Sequence, residues 1–175
     1  MKTDIMLNGS VDPIDANVLE GWKVAKKVKP LRAKPLVSIL VDPTVLNNFL
    51  ITTLEGKQNL GDGSIVCLGE TGDIWQQMPK KLLAKYTVTA IDNDGWMVCE
   101  PRPDNSIECV QWTGIINANN NEHWVRALWG EDVPNFGKCQ RFANGDYICR
   151  NREDHKDVWV VRQKFFENTY TIISE

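Results

Sequence analysis

Two stretches of this chain resemble each other, and this internal repeat constrains the possible folds more than any other feature. The segment that starts at Gly61 aligns without a gap with the segment that starts at Gly145, 84 positions further on. Repetition at a fixed separation is typical of a structural unit that has been copied. The identical pairs are Gly61/Gly145, Asp62/Asp146, Asp73/Asp157, Trp75/Trp159, Lys80/Lys164, Tyr86/Tyr170 and Thr87/Thr171. The repeat predicts two copies of one fold, with the two tryptophans in equivalent core positions.

A second similarity lies upstream at a separation of 79 positions, which implies a five-residue insertion within 130–135. Asp42-Pro43 is typical of a helix N-terminus, with Asp as the cap and Pro in the first turn. The apolar residues that follow are repeated in spacing in the second half, which places them on one helical face. The two apolar sets are Val45, Leu46, Phe49 and Leu50, and Trp124, Val125, Leu128 and Trp129. We therefore predict a second-half helix that is capped by Asn119 or Asn120, ends at Gly130, and carries His123 and Arg126 on its polar face.

Each copy is predicted to contain an opening strand, a short helix, a hairpin, a short helical turn and a closing strand, with Gly-rich turns between them. The first-copy strands are predicted at 36–41, 51–54, 64–68, 74–77 and 87–91. The second-copy strands are predicted at 107–113, 138–142, 147–150, 158–161 and 169–173. The predicted fold class is α+β, with two related β-rich lobes that each have a small, mostly antiparallel sheet and one short helix. The predicted domains are an N-terminal arm with a basic stretch (1–35), a first lobe (36–91), a connecting hairpin (92–106) and a second lobe (107–175).

Composition excludes several classes of function. The 20 Lys and Arg residues are outnumbered by 23 Asp and Glu residues, and a net charge of −3 disfavours a dedicated duplex-DNA-binding protein. No apolar stretch approaches the roughly 20 residues needed to cross a bilayer, and the amino terminus lacks the pattern of a signal peptide. The five cysteines form no C-x-x-C pair, which indicates reduced thiols in strands. We expect a soluble cytoplasmic protein without a membrane partner.

Three short motifs resemble a widespread phage and prophage family of small proteins of unassigned function. They are Gln111-Trp112-Thr113-Gly114, Gly145-Asp146-Tyr147 and Phe166…Thr169-Tyr170, and Ile51 to Gly56 adds a weaker match in the first copy. The resemblance covers residues 34–174, so the chain looks like a tandem duplication of one such module. Gly63 replaces the aromatic residue of the turn in the first copy, and neither copy has Pro before the Gly. The resemblance implies a phage or prophage origin, and hence the host-cell cytoplasm, but implies no chemistry.

Groups suited to catalysis are scarce. His123 and His155 are the two histidines, and we expect both to be solvated. No nucleophile elbow, phosphate-binding Gly loop, metalloprotease helix or dinucleotide fingerprint occurs in the sequence. Asp62 and Asp146 follow glycines in turns, where Asp normally bonds to its own backbone. The sequence therefore predicts no enzyme, no cofactor and no metal site.

The number of Trp residues and the clustering of basic residues are the unusual features of this sequence. The chain has seven Trp residues, and a partly exposed Trp can stack on a base or anchor an interface. A basic stretch from Lys23 to Lys34 contains no acid; it is either a solvated face or arm, or an edge that faces an anion. The predicted ligand-binding residues are Trp22, Trp96, Arg102, Trp112, His123 and Arg126.

These observations favour a phage-encoded binding protein without turnover. Its partner is predicted to be a nucleotide-like small molecule or a host protein, and the phage resemblance suggests a counter-defence role as a ligand sponge or inhibitor. A virion or assembly component is the alternative, and a small hydrolase or transferase that uses His123 and an Asp is the third hypothesis. Formation of a homo-oligomer is left open.

Overall fold

The computed structural model describes residues 12–36, 50–53, 56–59, 63–114 and 122–174. The chain divides into two compact units. The terminal unit contains residues 1–26 and 106–175, and the central unit contains residues 27–105. Each unit is built on an antiparallel sheet of five strands, and within the described residues each has one α-helix. The β-rich architecture predicted from the sequence is therefore confirmed.

The elements follow one another in a similar order in the two halves of the chain. The strands are β1 (Lys23–Lys27), β2 (Leu31–Pro35), β3 (Leu50–Thr53), β4 (Gly56–Asn59), β5 (Ile65–Gly69), β6 (Ile74–Gln77), β7 (Tyr86–Ile91), β8 (Met97–Pro101), β9 (Ser106–Gln111), β10 (Glu122–Val133), β11 (Gly137–Ala143), β12 (Tyr147–Asn151), β13 (Val158–Val161) and β14 (Tyr170–Ser174). The helices are α1 (Pro79–Lys85) and α2 (Gln163–Thr169), and a short 3-10 turn covers Ala16–Val18.

The two five-stranded sheets correspond in strand order, and each is accompanied by a hairpin. The strand order is β13-β12-β9-β1-β14 in the terminal unit and β6-β5-β2-β8-β7 in the central unit. A two-stranded hairpin accompanies each sheet, β10–β11 in the terminal unit and β3–β4 in the central unit. Each helix connects the edge strand β6 or β13 to the opposite edge strand β7 or β14.

One face of each sheet packs against its helix. The buried side chains of this core in the terminal unit are Ala25, Ile107, Cys109, Tyr147, Cys149, Val161 and Phe166. Those in the central unit are Leu31, Ala33, Ile65, Cys67, Leu82, Tyr86 and Cys99. Trp75 and Trp159 are half-buried and pack against these clusters. All five cysteines are buried and free, as the sequence predicts.

The opposite face of each sheet carries a second apolar cluster. In the terminal unit its buried members are Ala16, Val125, Phe142, Ile148, Val158 and Val160, which come from the 3-10 turn, the β10–β11 hairpin and the sheet. In the central unit the described members are Leu36 and Val66, with Ile74 and Trp96 packed against them.

Strand register corrects the ungapped alignment of the two similar segments. Cys149 lies opposite Trp159, and Cys67 lies opposite Trp75, so the two hairpins match when these pairs are superimposed. The turn after β12 is two residues longer than the turn after β5. Gly63-Ser64 therefore takes the place of Gly145-Asp146, and both glycines have positive φ, 72° and 93°. The pairing of Gly61-Asp62 with Gly145-Asp146 is wrong, and those first-copy residues lie outside the described part of the chain.

The predicted helix in the second half is a strand. Residues 122–133 form β10, which pairs with β11 from Glu122↔Ala143 to Val133↔Gly137. Trp and Val at 124 and 125 favour strands, and the alternation of half-buried His123 and buried Val125 and Ala127 follows a strand period. The predicted first-copy helix after Asp42-Pro43, and the predicted caps Asn119 and Asn120, lie outside the described residues.

The basic stretch is not an arm. Its residues form β1 and β2, which occupy interior positions in the two sheets. In β2 the buried Leu31 and Ala33 alternate with Arg32 and Lys34, so the charged residues belong to one face of a strand. The predicted boundary at residue 35 is therefore not a boundary of the folded part, and residues 92–106 do not stand apart from the lobes, because β8 lies within the central sheet.

Candidate functional site

A bulge in β10 creates the main irregularity of the terminal unit. Arg126 and Glu131 both lie opposite Cys139, so residues 127–130 are extra residues on the β10 side. Leu128 and Trp129 are consequently more than half exposed, at 53% and 58%. A side chain at Gly130 would overlap the backbone of Cys139, so this close approach requires glycine. The bulge lies beside the predicted insertion at 130–135.

A cleft of about 220 Å³ borders this bulge. It lies within the terminal unit and draws on the 3-10 turn, on β10, on β11 and on the turn before β13. The lining residues are Asp15, Ala16, Asn17, Arg126, Ala127, Leu128, Lys138, His155, Lys156 and Val158. We call this feature the basic cleft, because Arg126, Lys138, Lys156 and His155 outnumber its single carboxylate, Asp15.

Two cations of the basic cleft have no ion-pair partner among the described residues. The backbone N–H of Arg126 donates to Ile14, and that of Lys156 donates to Asp154, but their side chains are exposed and form no ion pair there. Lys138 differs, because its Nζ lies 2.8 Å from Asp132 Oδ2. Arg126 and Lys156 are therefore available to an anion from solvent.

The amino-terminal segment holds Asp15 and Arg126 in place. Ile14 forms a parallel bridge with Val125, in which its N–H donates to Trp124 and its carbonyl accepts from Arg126. The next residue, Asp15, caps the 3-10 turn by accepting a hydrogen bond from the Asn17 N–H at 2.9 Å. The backbone thus presents an oxygen acceptor and a guanidinium to one small cleft.

A chain of contacts ties His155 to Trp22. Glu108 Oε2 lies 3.4 Å from His155 Nε2 and 2.6 Å from Arg150 Nε. The Arg150 guanidinium lies 3.9 Å from the centre of the Trp22 ring, and the Trp22 Nε1–H donates to Leu19 O at 2.8 Å. The predicted ligand residue Trp22 therefore uses its donor and at least one ring face within the protein.

His123 of β10 and Trp112 lie close together. The His123 ring is 6.2 Å from Trp112 and 5.7 Å from Phe142, and burial lowers the pKa of His123 from 6.5. Both ring nitrogens are buried without a hydrogen-bond partner among the described residues. The expectation of a solvated His123 is wrong, because the residue belongs to the inward face of a strand. Trp112 donates from Nε1 to Gly114 O at 3.0 Å.

Two other predicted ligand residues lie in the central unit. Trp96 is half-buried, with Lys34 Nζ 5.2 Å and the Arg32 guanidinium 6.0 Å from its ring. Arg102 donates from Nε to Leu83 O at 2.9 Å and so binds near the end of α1. Of the six predicted ligand residues, the structure places only Arg126 in the basic cleft. Trp22 and Trp112 pack against the apolar cluster on the sheet face away from the helix, and His123 lies beside Phe142 of that cluster.

Asp146 has a structural position. Its carboxylate accepts hydrogen bonds from the Ala143 and Gln163 N–H groups and from Arg162, at 2.6 to 3.1 Å. It therefore fastens the β11–β12 turn to the start of α2, in agreement with the turn role expected from the sequence. A free carboxylate for general base catalysis is not provided at this position.

Sequence reasoning did not find Asp15, Lys138, Lys156 or His155 as members of one site. These residues come from three separate segments, the amino-terminal 3-10 turn, β11 and the turn before β13, and no spacing within the chain connects the three. A possible signal was the charged turn 152–157, but its neighbours across the sheet are set by long-range strand pairing.

Comparison with known proteins adds no assignment. No family model, curated protein or solved structure matches the chain. Within the described ranges, no helix is long and apolar enough to cross a membrane, and no group of three His, Cys, Asp or Glu residues could hold a metal ion.

Proposed function

We propose that this protein is a binding protein without turnover, and that it captures a small anionic ligand in the basic cleft. One observation carries the proposal: Arg126 and Lys156 line one cleft and have no ion pair among the described residues. Charge-assisted hydrogen bonds to phosphate or carboxylate are the natural use of such cations. The proposal assigns the nucleotide-like ligand that was predicted from the sequence to this cleft.

The size and composition of the cleft favour a phosphate that is attached to a sugar. Ligand sites usually occupy roughly 300–1,000 Å³, so a cleft of about 220 Å³ suits one group of a ligand better than a whole dinucleotide. Asp15 opposes a bare anion but can accept hydrogen bonds from hydroxyl groups. A sugar phosphate or mononucleotide supplies both chemistries in one molecule.

The biological setting is proposed from the phage resemblance. In that setting the protein acts in the cytoplasm of the host cell, and capture of a nucleotide-like signal would serve counter-defence. Descent of the two lobes from one module belongs to the same proposal, and the equal strand order of the two sheets supports it. Inhibition of a host protein, or a structural role in the virion, predicts no saturable small-molecule binding.

Calorimetric titration of the full chain tests the proposal with three probes. We expect AMP to bind more tightly than inorganic phosphate, and adenosine to bind much less than either. Arg126→Gln and Lys156→Gln should each weaken AMP binding by about tenfold, the loss expected for one charge-assisted hydrogen bond. AMP recovered after long incubation should be unchanged by mass spectrometry.

The matched control is Lys164→Gln, which removes one charge from the exposed face of α2. It should leave the affinity for AMP unchanged. Equal binding by the cleft variants and the wild type, or equal binding of adenosine and AMP, would contradict the proposal. Absence of binding, together with stoichiometric capture of one host protein, would favour inhibition.

A further inference from the structure

The same two residues, Gly and Trp, come directly before the strands β1 and β8. Gly21-Trp22 precedes β1 and Gly95-Trp96 precedes β8, and the two glycines have nearly equal positive φ angles of 79° and 80°. Two residues after each Trp comes Val, which is followed by a small residue that is fully buried, Ala25 or Cys99, both at 0% exposure. Both Trp side chains are half-buried and pack against the apolar cluster on the sheet face away from the helix.

Strand register makes the two strands equivalent. Ala25 of β1 lies opposite Ile107, and Lys23 lies opposite Cys109. Cys99 of β8 lies opposite Leu31, and Met97 lies opposite Ala33.

The partners of these two strands are themselves equivalent. Cys109 faces Cys149 in one sheet, as Ala33 faces Cys67 in the other. The strands β1 and β8 therefore occupy the same place in two like sheets, between β9 and β14 and between β2 and β7.

The chain order of the elements then shows two copies of one module. The first copy is β1–β7 with α1, and the second is β8–β14 with α2. Each copy has its first strand in the sheet of the other copy, because β1 lies in the terminal sheet and β8 lies in the central sheet. We infer that the two modules exchange their first strands. The interaction surface of one module is thus the slot between its second and last strands, and its partner is the first strand of another copy.

The connection between β1 and β2 helps to explain why β1 leaves its own copy. Only residues 28–30 separate the two strands, and a three-residue hairpin loop commonly ends in a left-handed residue. The third residue here is Pro30. Its ring holds φ near −65°, so Pro30 cannot adopt the positive φ that this loop type needs at that position. Within the described residues, β1 pairs with β9 and β14 rather than with β2.

The exchanged strands are structurally necessary to the sheets that receive them. In the terminal sheet, β1 is the strand that joins β14 to β9. Its loss would separate the edge strand from the sheet and remove Ala25 from the core around Phe166. Each half of the chain is therefore expected to depend on the other half for a complete sheet.

Cleavage of the folded full chain tests the exchange. A protease site is inserted in the exposed β7–β8 turn, between Asn93 and Asp94, and is cut after folding. We expect the two halves to elute as one 1:1 species, with a melting temperature that rises with protein concentration, unlike that of the uncut chain. Separation of the halves without denaturant, with strand structure retained in each, would overturn the inference.

Hydrogen exchange distinguishes strand exchange from other contacts that could hold the halves together. Ala25→Asp should reduce protection in β9, β12 and β14 and leave β5–β7 protected, and Cys99→Asp should do the reverse. Loss of protection in β5–β7 from Ala25→Asp would overturn the inference.

A disulfide gives an answer even if those variants do not fold. Lys26 lies opposite Ser106, so Lys26→Cys with Ser106→Cys should yield a linked peptide pair under mild oxidation. Both thiols remaining free in folded protein would contradict the exchange.

Discussion

The two five-stranded sheets are alike on the face that packs on the helix and unlike on the other face. On the helix face, Cys67 corresponds to Cys149, Leu82 to Phe166 and Tyr86 to Tyr170, and all of them are buried or half-buried. Both sheets therefore meet the same requirement there, an apolar contact between strands and helix. The two sheets are thus alike where their packing maintains the fold.

The other face differs in chemistry. Arg150 and Glu108 form a short ion pair in the terminal sheet, where Leu68 and Arg32 occupy the matching strand positions of the central sheet. The bulged β10–β11 hairpin of the terminal unit also contrasts with β3 and β4, which have four residues each. The basic cleft borders this face, so the binding that we propose and the maintenance of the fold involve different faces of one sheet.

The largest effect is expected from a substitution in the contact between the sheet and its helix, where the two units are alike. Phe166→Ala removes a fully buried ring that stacks on Tyr147 and Tyr170, and should cost about 3–5 kcal/mol of unfolding free energy. Leu82→Ala, the counterpart, should cost about 2–5 kcal/mol. Urea denaturation monitored by circular dichroism measures both. A loss below 1 kcal/mol in either variant would show that the two helix faces do not carry equal structural weight.

The next effect concerns the starts of the two helices. The helix α2 starts at Gln163, whose N–H is accepted by Asp146, whereas α1 starts with Pro79, which has no N–H to satisfy. Asp146→Ser should therefore cost about 2–4 kcal/mol, because Arg162 and two backbone N–H groups lose their acceptor. Ser already stands at the equivalent position 64. Chemical denaturation should show the loss, and an unchanged stability would remove the distinction between the two helix starts.

A smaller effect is expected at the ion pair of the other face. Arg150→Leu copies the central sheet and should cost about 1–3 kcal/mol, since the Glu108 carboxylate loses its guanidinium partner and keeps the His155 imidazole at 3.4 Å. Adding Glu108→Gln should recover most of the loss, because the uncompensated charge is then removed. A double-mutant cycle measures the coupling. Additive losses would indicate that the two side chains act independently.

The elements of the sheet face that packs on the helix were largely predictable from the sequence, and those of the other face were not. The strands β6 and β13 were predicted with their observed bounds, because each opens with an apolar residue and Trp and is flanked by turn residues that fix it locally. The error at 122–133 has a physical cause. Spacing of i, i+1, i+4, i+5 fits a helix, but a strand with a bulge after Arg126 produces the same apolar pattern.

Long-range pairing explains the remaining differences from the sequence predictions. The interior strand β2 was not predicted, because Arg32 and Lys34 gave the segment the pattern of a solvated stretch. Side chains of a strand alternate between its faces, and in β2 it is Leu31 and Ala33 that are buried. The exchange of β1 and β8 leaves a local Gly-Trp signal at each strand, yet nothing nearby in the chain states which sheet receives the strand. The basic cleft depends on the same pairing, so its members could not be grouped in advance.

The smallest expected effect is a pH dependence of stability caused by His123. The described part of the central unit has no counterpart of this residue. Burial lowers the pKa of His123 below 6.5 in the folded protein, so the unfolded chain binds the proton more readily. The folded state is then fully favoured above pH 6.5 and loses stability as the pH falls towards the lowered pKa. His123→Phe keeps an aromatic ring beside Phe142 and Trp112 and should lessen this loss of stability in acid. Unfolding free energies at about pH 7.5 and about pH 5, above and below the ordinary histidine pKa, test this. The difference between variant and wild type must change with pH, and a constant difference would mean that the buried imidazole does not titrate with unfolding.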